Sequence, residues 1–293
     1  MLPQAVEDAI ETIASDHTSG ANRIARIGLR GLEALIDTSR GRPEPDSVRE
    51  ATRRLAAAQH TNAALYNVTQ VFAHLVAEGQ EPKDVLAHLR GELESAREKV
   101  AGNFLKIAPD SGVVVTLTFS DNVLACIVRA HEKGRLERVY VMESRPLFEG
   151  RFLAVALKEA GIPATLVPDS MGPGLLATAT YALVGADSVL RDGSIVNKVG
   201  TYALALGAKD HGRPTYVACE SLKFDARYDE GSWPGAPLMP STEVWDRPPE
   251  AVDTMNRYFE VVPARLVSRI ATERGTFEPE TVRTMLSQAK RQI

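Results

Sequence analysis

The chain has 293 residues, 44% of them hydrophobic and 25% charged, with a formal net charge of −4 and a pI near 5.9. That composition supplies one large or two moderate cores. Its scattered basic residues give no electrostatic footprint for direct nucleic-acid or anionic-membrane binding, which leaves small metabolites and other proteins as expected partners. Cys126 and Cys219 both fall in apolar periodic segments, so they read as buried thiols of a reducing compartment and not as a disulfide or metal site. The six histidines show no metal-ligand spacing. The opening stretch MLPQAVEDAIETIASD lacks a basic n-region and a continuous apolar h-region, and no run approaches the ~18 apolar residues of a membrane span. The expected location is the cytoplasm.

In chain order, the first hundred residues carry helical periodicity. Apolar positions recur at three- and four-residue spacing over 3–14, 22–37, 46–58, 62–78 and 82–101, as in Ile24, Ile27, Leu32, Leu35 and Ile36. From about residue 110 the pattern changes. Short apolar runs at 113–118, 138–142, 164–168, 181–185 and 215–219 alternate with helical stretches, the signature of βα units in a doubly wound parallel sheet. The connections are expected to be right-handed. The fold class is therefore α/β, with a helical bundle domain over 1–108 and a Rossmann-like domain over 109–293. Residues 225–249 hold five prolines and two tryptophans and read as a long loop, after which 259–272 returns to an apolar pattern.

The segment 185–224, GADSVLRDGSIVNKVGTYALALGAKDHGRPTYVACESLKF, is the most informative. It lies between two apolar runs expected to be strands buried on both faces, and ligands in open α/β sheets sit beyond the carboxyl ends of strands. A helix over 197–207 is expected, with Asn197 as its cap and its amino end aimed at the same crevice, where free N–H groups favour phosphate. Charged residues follow every putative strand: Asp121, Glu143 with Arg145, Asp169, Asp187, and Glu220 with Lys223. Strand ends meet water and helix caps favour Ser and Asp, which explains single cases. It does not explain cations at Arg145, Lys198 and Lys223 beside the carboxylate of Asp187. Such a set suits a phosphorylated polyol or nucleotide, with the cations on phosphate and the carboxylate on hydroxyls or a moving proton. Asp187 can instead cap the Asp192-Gly193 turn or pair with Lys198, and Glu143 and Arg145 read as an ion pair or turn before Pro146. His131 and His211 read as solvated residues late in helices.

These residues resemble a known family. The pattern GADSV, DGSIVNKVGT, AK, GRP and ESLKF, with VMESRPLFEGRFLAVALKEAGIPATLVPDS at 141–170 and FEVVPARLVSRIATERG at 259–275, is similar to the group containing the α, β and δ subunits of eukaryotic initiation factor 2B. The same group includes ribose-1,5-bisphosphate isomerase and methylthioribose-1-phosphate isomerase. SGANRIAR at 19–26 is similar to the family's Arg-Gly-Ala-Gly loop and its following helix.

The resemblance implies roles position by position. In the isomerases a Cys after the first strand moves a proton between C2 and C1, with an Asp as its partner. The Asp matches Asp187, while Thr118 stands at the Cys position in TLTFS. A Thr hydroxyl has no accessible anion near neutral pH, whereas a thiol has a pKa near 8.5. Cys126 lies eight residues on, about 12 Å along a helix. Ser120, Asn197, Lys198 and Lys223 match sugar-phosphate contacts, and Gly20, Ala21 and Asn22 match the loop. Ser19 and Gln59 replace two arginines, so a bisphosphate loses its bidentate forks; His60, Arg23 or Arg26 are the residues left to compensate in part.

The expected function is that of an initiation-factor-2B-subunit-like protein binding a sugar phosphate or nucleoside monophosphate in a crevice between the two domains, regulatory and without the isomerase thiol. The alternative is an aldose–ketose isomerase of a phosphorylated pentose with Asp187 as acid/base. Neither metal nor cofactor is called for. The resemblance further implies a homodimer or higher oligomer and related subunits as partners.

Overall fold

The computed structural model describes residues 2–16 and 20–289; the expected loop position Ser19 lies outside them. The described residues divide into two compact units. One runs through Ala96 and adds Leu222–Asp225, and the other holds Arg97–Ser221 with the rest of the chain from Ala226.

The helical periodicity becomes α1 (Gln4–Ser15), α2 (Ala21–Thr38), α3 (Pro45–Ala58), α4 (Ala63–Ala77) and α5 (Pro82–Phe104). Each buries the stripe its spacing marks, as α2 does with Ile24, Ala25, Gly28, Leu29, Leu32, Leu35 and Ile36. Two glycines let neighbouring helices approach α2. A Cβ on Gly28 would stand 2.6 Å from Leu65 Cδ1, and one on Gly31 would stand 3.1 Å from Ala9 Cβ and 3.2 Å from Leu55 Cδ2. Asn62 caps α4, its side chain accepting from Leu65 N at 3.0 Å. Leu29, Leu32, Leu55, Leu65, Phe72 and Leu89 form the centre of this core, each fully buried side chain contributing about 1.5–3 kcal/mol before entropy is subtracted. The segment Leu222–Asp225, which carries the two-residue strand β8 (Phe224–Asp225), belongs to this unit. Asn67 Nδ2 donates to the carbonyls of Leu222 (2.7 Å) and Phe224 (2.8 Å), and Leu222 packs on the core.

In the second unit, the predicted runs form β1 (Val113–Leu117), β2 (Arg138–Met142), β3 (Ala164–Val167), β4 (Tyr181–Val184) and β7 (Thr215–Ala218). With β10 (Arg269–Thr272) and β11 (Gly275–Phe277) they make, among the described residues, a seven-stranded sheet in the order β11-β10-β7-β4-β1-β2-β3. All pairings are parallel except β10 with β11. The intervening helices are α6 (Asp121–Glu132), α7 (Glu149–Glu159), α8 (Gly172–Leu175) and α9 (Thr201–Asp210), and α10 (Pro279–Ala289) closes the described chain. Near-continuous burial of β1 and β4 is what a sheet covered on both faces requires. Phe104, Tyr181 and Tyr216 form a ring cluster with centroids 5.4–6.1 Å apart.

From β1 the chain builds outward through β2 and β3, then returns to the other side of β1 and continues through β4, β7 and β10. The strand order therefore reverses between β1 and β4, and the carboxyl ends of strands at such a reversal are where doubly wound folds take ligands.

The expected helix over 197–207 is corrected. Asn197 and Lys198 end a strand, β6 (Ile195–Lys198), antiparallel to β5 (Ser188–Leu190) and to β9 (Phe259–Val262), and α9 begins only at Thr201. Gly200, at φ 101°, sets that boundary, because this conformation is open to glycine and breaks a helix. The Asp192-Gly193 turn joins β5 to β6, with Gly193 at φ 84° and Asp192 Oδ1 accepting from Ser194 N at 3.1 Å. The amino end of α9 is also filled from within the unit. Glu260 Oε1 accepts from Gly200 N (2.7 Å) and Tyr202 N (2.8 Å), so a protein carboxylate already occupies the place an anion would take.

A candidate ligand site at the strand-order reversal

The site is built where β1 ends. Thr118 sits at φ 56°, a conformation costly for a β-branched residue and held only by fixed surroundings. Those surroundings are polar. Thr118 N donates to Ser144 Oγ at 2.6 Å, and Thr118 Oγ1 donates to Glu149 Oε2 at 3.1 Å. Ser144, beyond the end of β2, is itself at φ 63° and is fixed by Asp169, whose two carboxylate oxygens accept from Ser144 N (2.7 Å) and Arg145 N (2.8 Å). The expected Glu143–Arg145 pair is not the one formed. Glu143 meets Arg151 at 3.4 Å, while Arg145 donates to Val244 O at 2.7 Å and stacks on Phe148. Asp169 makes the turn before Pro146.

Glu149 is the first residue of α7, and it lies there because Gly150 lets the helix start against the end of β2. A Cβ on Gly150 would overlap the carbonyl oxygen of Met142. Lys198, whose side chain is 7% exposed, places Nζ 2.9 Å from Glu149 Oε2 and over the rings of Tyr258 (4.7 Å) and Phe259 (5.1 Å). The ammonium is thus neutralised on one side and faces aromatic π-density on the other. Tyr258 donates its hydroxyl to Glu243 Oε2 at 2.6 Å, and the same oxygen accepts from Asn256 Nδ2 at 2.8 Å. Burial, then the Glu243 carboxylate, pushes the Tyr258 phenol well above its ordinary pKa.

A second polar group lies at the neighbouring strand ends. Ser120 caps α6, its Oγ accepting from Val123 N at 3.4 Å. A Cβ on Gly185, just past β4, would stand 3.0 Å from Ser120 Oγ and 3.8 Å from Asn197 Oδ1. The Ser120 side chain therefore packs directly on the Gly185 backbone, a close approach that a side chain at 185 would block, with Asn197 Oδ1 beside them. Asn197 is anchored, donating through Nδ2 to Thr201 Oγ1 at 2.9 Å. The half-buried Asp187 follows in the same β4–β5 connection, its backbone N–H bonded to Val196 O at 2.8 Å.

Five of the residues named from sequence, Thr118, Ser120, Asp187, Asn197 and Lys198, thus lie in the parallel-sheet unit around one strand-order reversal. The other four belong to the helical unit. Gly20 precedes α2 as its cap residue without a side-chain bond, buried Ala21 and half-buried Asn22 open that helix, and Lys223, 7% exposed, lies in the Leu222–Asp225 segment. Gln59 has a structural task there, its Nε2 donating to Ile13 O (2.7 Å) and Asp16 O (2.5 Å) at the end of α1. Cys126 is fully buried on α6, and burial, with Cys219 nearby, pushes its thiol far above the usual range.

Sequence reasoning missed Glu149 and Tyr258. An acid in the first turn of a helix ordinarily reads as a dipole partner, and only the FEGR sequence around Gly150 hinted at a close approach. Among the described residues no cluster of three or more His, Cys, Asp or Glu is placed to hold a metal ion, and no helix is long and apolar enough to cross a membrane.

A doubly wound sheet preceded by a helical bundle, with polar strand ends at the reversal, matches known proteins throughout its length. The model of the initiation factor 2 subunit family matches residues 17–279, and the chain belongs to that family. It is 31% identical over 311 residues to ribose 1,5-bisphosphate isomerase of Haloterrigena turkmenica, covering 96% of this chain and 93% of that protein. It is 32% identical over 301 residues to methylthioribose-1-phosphate isomerase of Pelotomaculum thermopropionicum, covering 93% and 82%. Among solved structures, the translation initiation factor eIF-2B of Pyrococcus horikoshii OT3 superposes with a TM-score of 0.81 at 27% identity, over 96% of this chain and 99% of that one.

Proposed function

We propose that this chain is an initiation-factor-2B-subunit-like protein of the cytoplasm that binds a sugar phosphate or nucleoside monophosphate without isomerising it. The observation that carries this reading is the state of Thr118. At the strand end where the resemblance places the isomerases' thiol, this chain has a hydroxyl already donated to Glu149, which also holds Lys198. A Thr in that setting offers no base near neutral pH. Ser120 and Asn197 offer a phosphate hydroxyl and amide partners, and Lys223 and the Gly20, Ala21, Asn22 loop are carried into the proposal from the resemblance. Two buried cysteines outside any disulfide fit a reducing compartment. Self-association as a homodimer or higher oligomer belongs to the same proposal and is read from the mass in solution.

The test is a thermal-shift screen of nucleoside monophosphates and pentose phosphates, with every hit carried into a coupled isomerisation assay. A ligand at about 100 times its Kd should raise Tm by roughly 5 °C, from about 2.7 kcal/mol of linkage spread over a chain of this size. Binding should weaken at least tenfold in Asn197→Ala and Lys223→Ala, with no turnover by any variant. Turnover that disappears in Asp187→Asn would overturn the reading. It would establish the second one, an aldose–ketose isomerase of a phosphorylated pentose, which one observation favours: Glu149 puts a carboxylate 3.1 Å from Thr118 Oγ1, a base beside the position that the resemblance gives to the isomerases' thiol.

A further inference from the structure

Glu149 is a carboxylate with one oxygen used and one available. Its Oε2 takes both the Thr118 hydroxyl (3.1 Å) and the Lys198 ammonium (2.9 Å). Among the described residues Oε1 has no hydrogen-bond partner, and the side chain keeps 17% exposure. We infer that Glu149 is the specificity-determining residue of this site: it accepts a free sugar hydroxyl from a singly phosphorylated ligand and turns away a second phosphate. This rests on the binding function proposed above.

The argument is one of charge and hydrogen-bond type. A carboxylate oxygen only accepts, so it suits a hydroxyl and repels another anion. Lys198 would ordinarily attract phosphate, but Glu149 cancels its charge at 2.9 Å, and the rings of Tyr258 and Phe259 cover its other side. A phosphate reaching Lys198 would have to displace or adjoin Glu149 in a poorly solvated setting, where like charges interact strongly. The ligand therefore presents a free hydroxyl, and not a phosphate, to Glu149. Buried hydrogen-bonding groups of this kind reject ligands that cannot complete them.

The experiment is calorimetric titration of the full chain with ribose 5-phosphate, 2-deoxyribose 5-phosphate and ribose 1,5-bisphosphate. The unaltered protein should bind ribose 5-phosphate at least tenfold more tightly than either of the others. In Glu149→Gln, which keeps the shape and removes the charge, the preference over the bisphosphate should fall at least tenfold. Glu149→Ser, a residue favoured at helix starts, repeats the measurement should the Gln variant fail to fold. A bisphosphate preference ratio unchanged within twofold in the folded variant, with ribose 5-phosphate still bound, overturns the role of Glu149 and leaves the binding function standing. If the unaltered protein binds none of the three sugars, this inference falls; if it also binds none of the nucleoside monophosphates, the binding function falls with it.

Discussion

At the scale of single residues, the site depends on close approaches that tolerate no extra atom. Gly150 is the sharpest case. Its missing side chain lets α7 begin directly against the Met142 carbonyl, and Glu149 is delivered to Thr118 and Lys198 from that position. Gly150→Ala adds one methyl group against backbone, which cannot rotate away as a side chain could, and forced overpacking of this sort costs about 1–3 kcal/mol or more. The variant should melt at least 2–4 °C lower by calorimetry and lose the ligand discrimination assigned to Glu149. An unchanged Tm would mean that α7 starts elsewhere. Of the candidate residues named from sequence, Thr118, Ser120 and Asp187 stand at or just after apolar runs, because a strand end is a local signal, while Asn197, Lys198, Lys223 and the Gly20, Ala21, Asn22 loop came from contiguous motifs. Glu149 was not legible, since its partners lie 31 positions before it and, in Lys198, in a different sheet.

At the scale of elements, the predicted helices of the first unit and the parallel strands agree with the structure to within a few residues, because one face of each is buried and the burial period is written in the chain. The exception is the stretch around Asn197. Its local composition resembles a helix start, but pairing of β6 with β5 and β9 overrides that preference, as tertiary context commonly does. Glu260 then serves α9 as its terminal acceptor. Burial raises the Glu260 pKa above 4.5, opposed by the backbone N–H groups of Tyr202, Gly200 and Thr201. A folded pKa above the unfolded one means that this group's contribution to stability is full below the unfolded value and is lost as pH rises through the folded value. Glu260→Gln keeps an acceptor without a buried charge, so its Tm relative to the unaltered protein should be higher at pH 7 than at pH 4. Glu260→Ala leaves the amide groups without their acceptor and should cost about 1–2 kcal/mol at either pH. A Gln variant whose relative Tm falls between pH 4 and pH 7 would refute the sign.

At the scale of the whole molecule, the two cysteines report on the parallel-sheet unit. Cys126 and Cys219 are both fully buried and neither is in a disulfide, and burial favours the protonated form of the Cys126 thiol. With Ellman's reagent at pH 8 the native protein should show no rapidly reacting thiol, and both should react once the chain is unfolded in guanidinium. Reaction of a thiol within seconds under native conditions would contradict the burial of β7 and α6.

The sequence by itself determined the element types, the change from a helical unit to a parallel sheet, the family, and the polar residues that follow the strands. Each of these is encoded by local period or by contiguous motif, so one chain read in order suffices. Only the tertiary structure decided that the strand order reverses between β1 and β4, that Asn197 and Lys198 end a strand, that Leu222–Asp225 belongs with the helical unit, and that Glu149 stands between Thr118 and Lys198. Those outcomes depend on which distant segments pair. Pairing is selected by the total burial and hydrogen bonding of the assembled fold, a quantity that no local window of sequence contains.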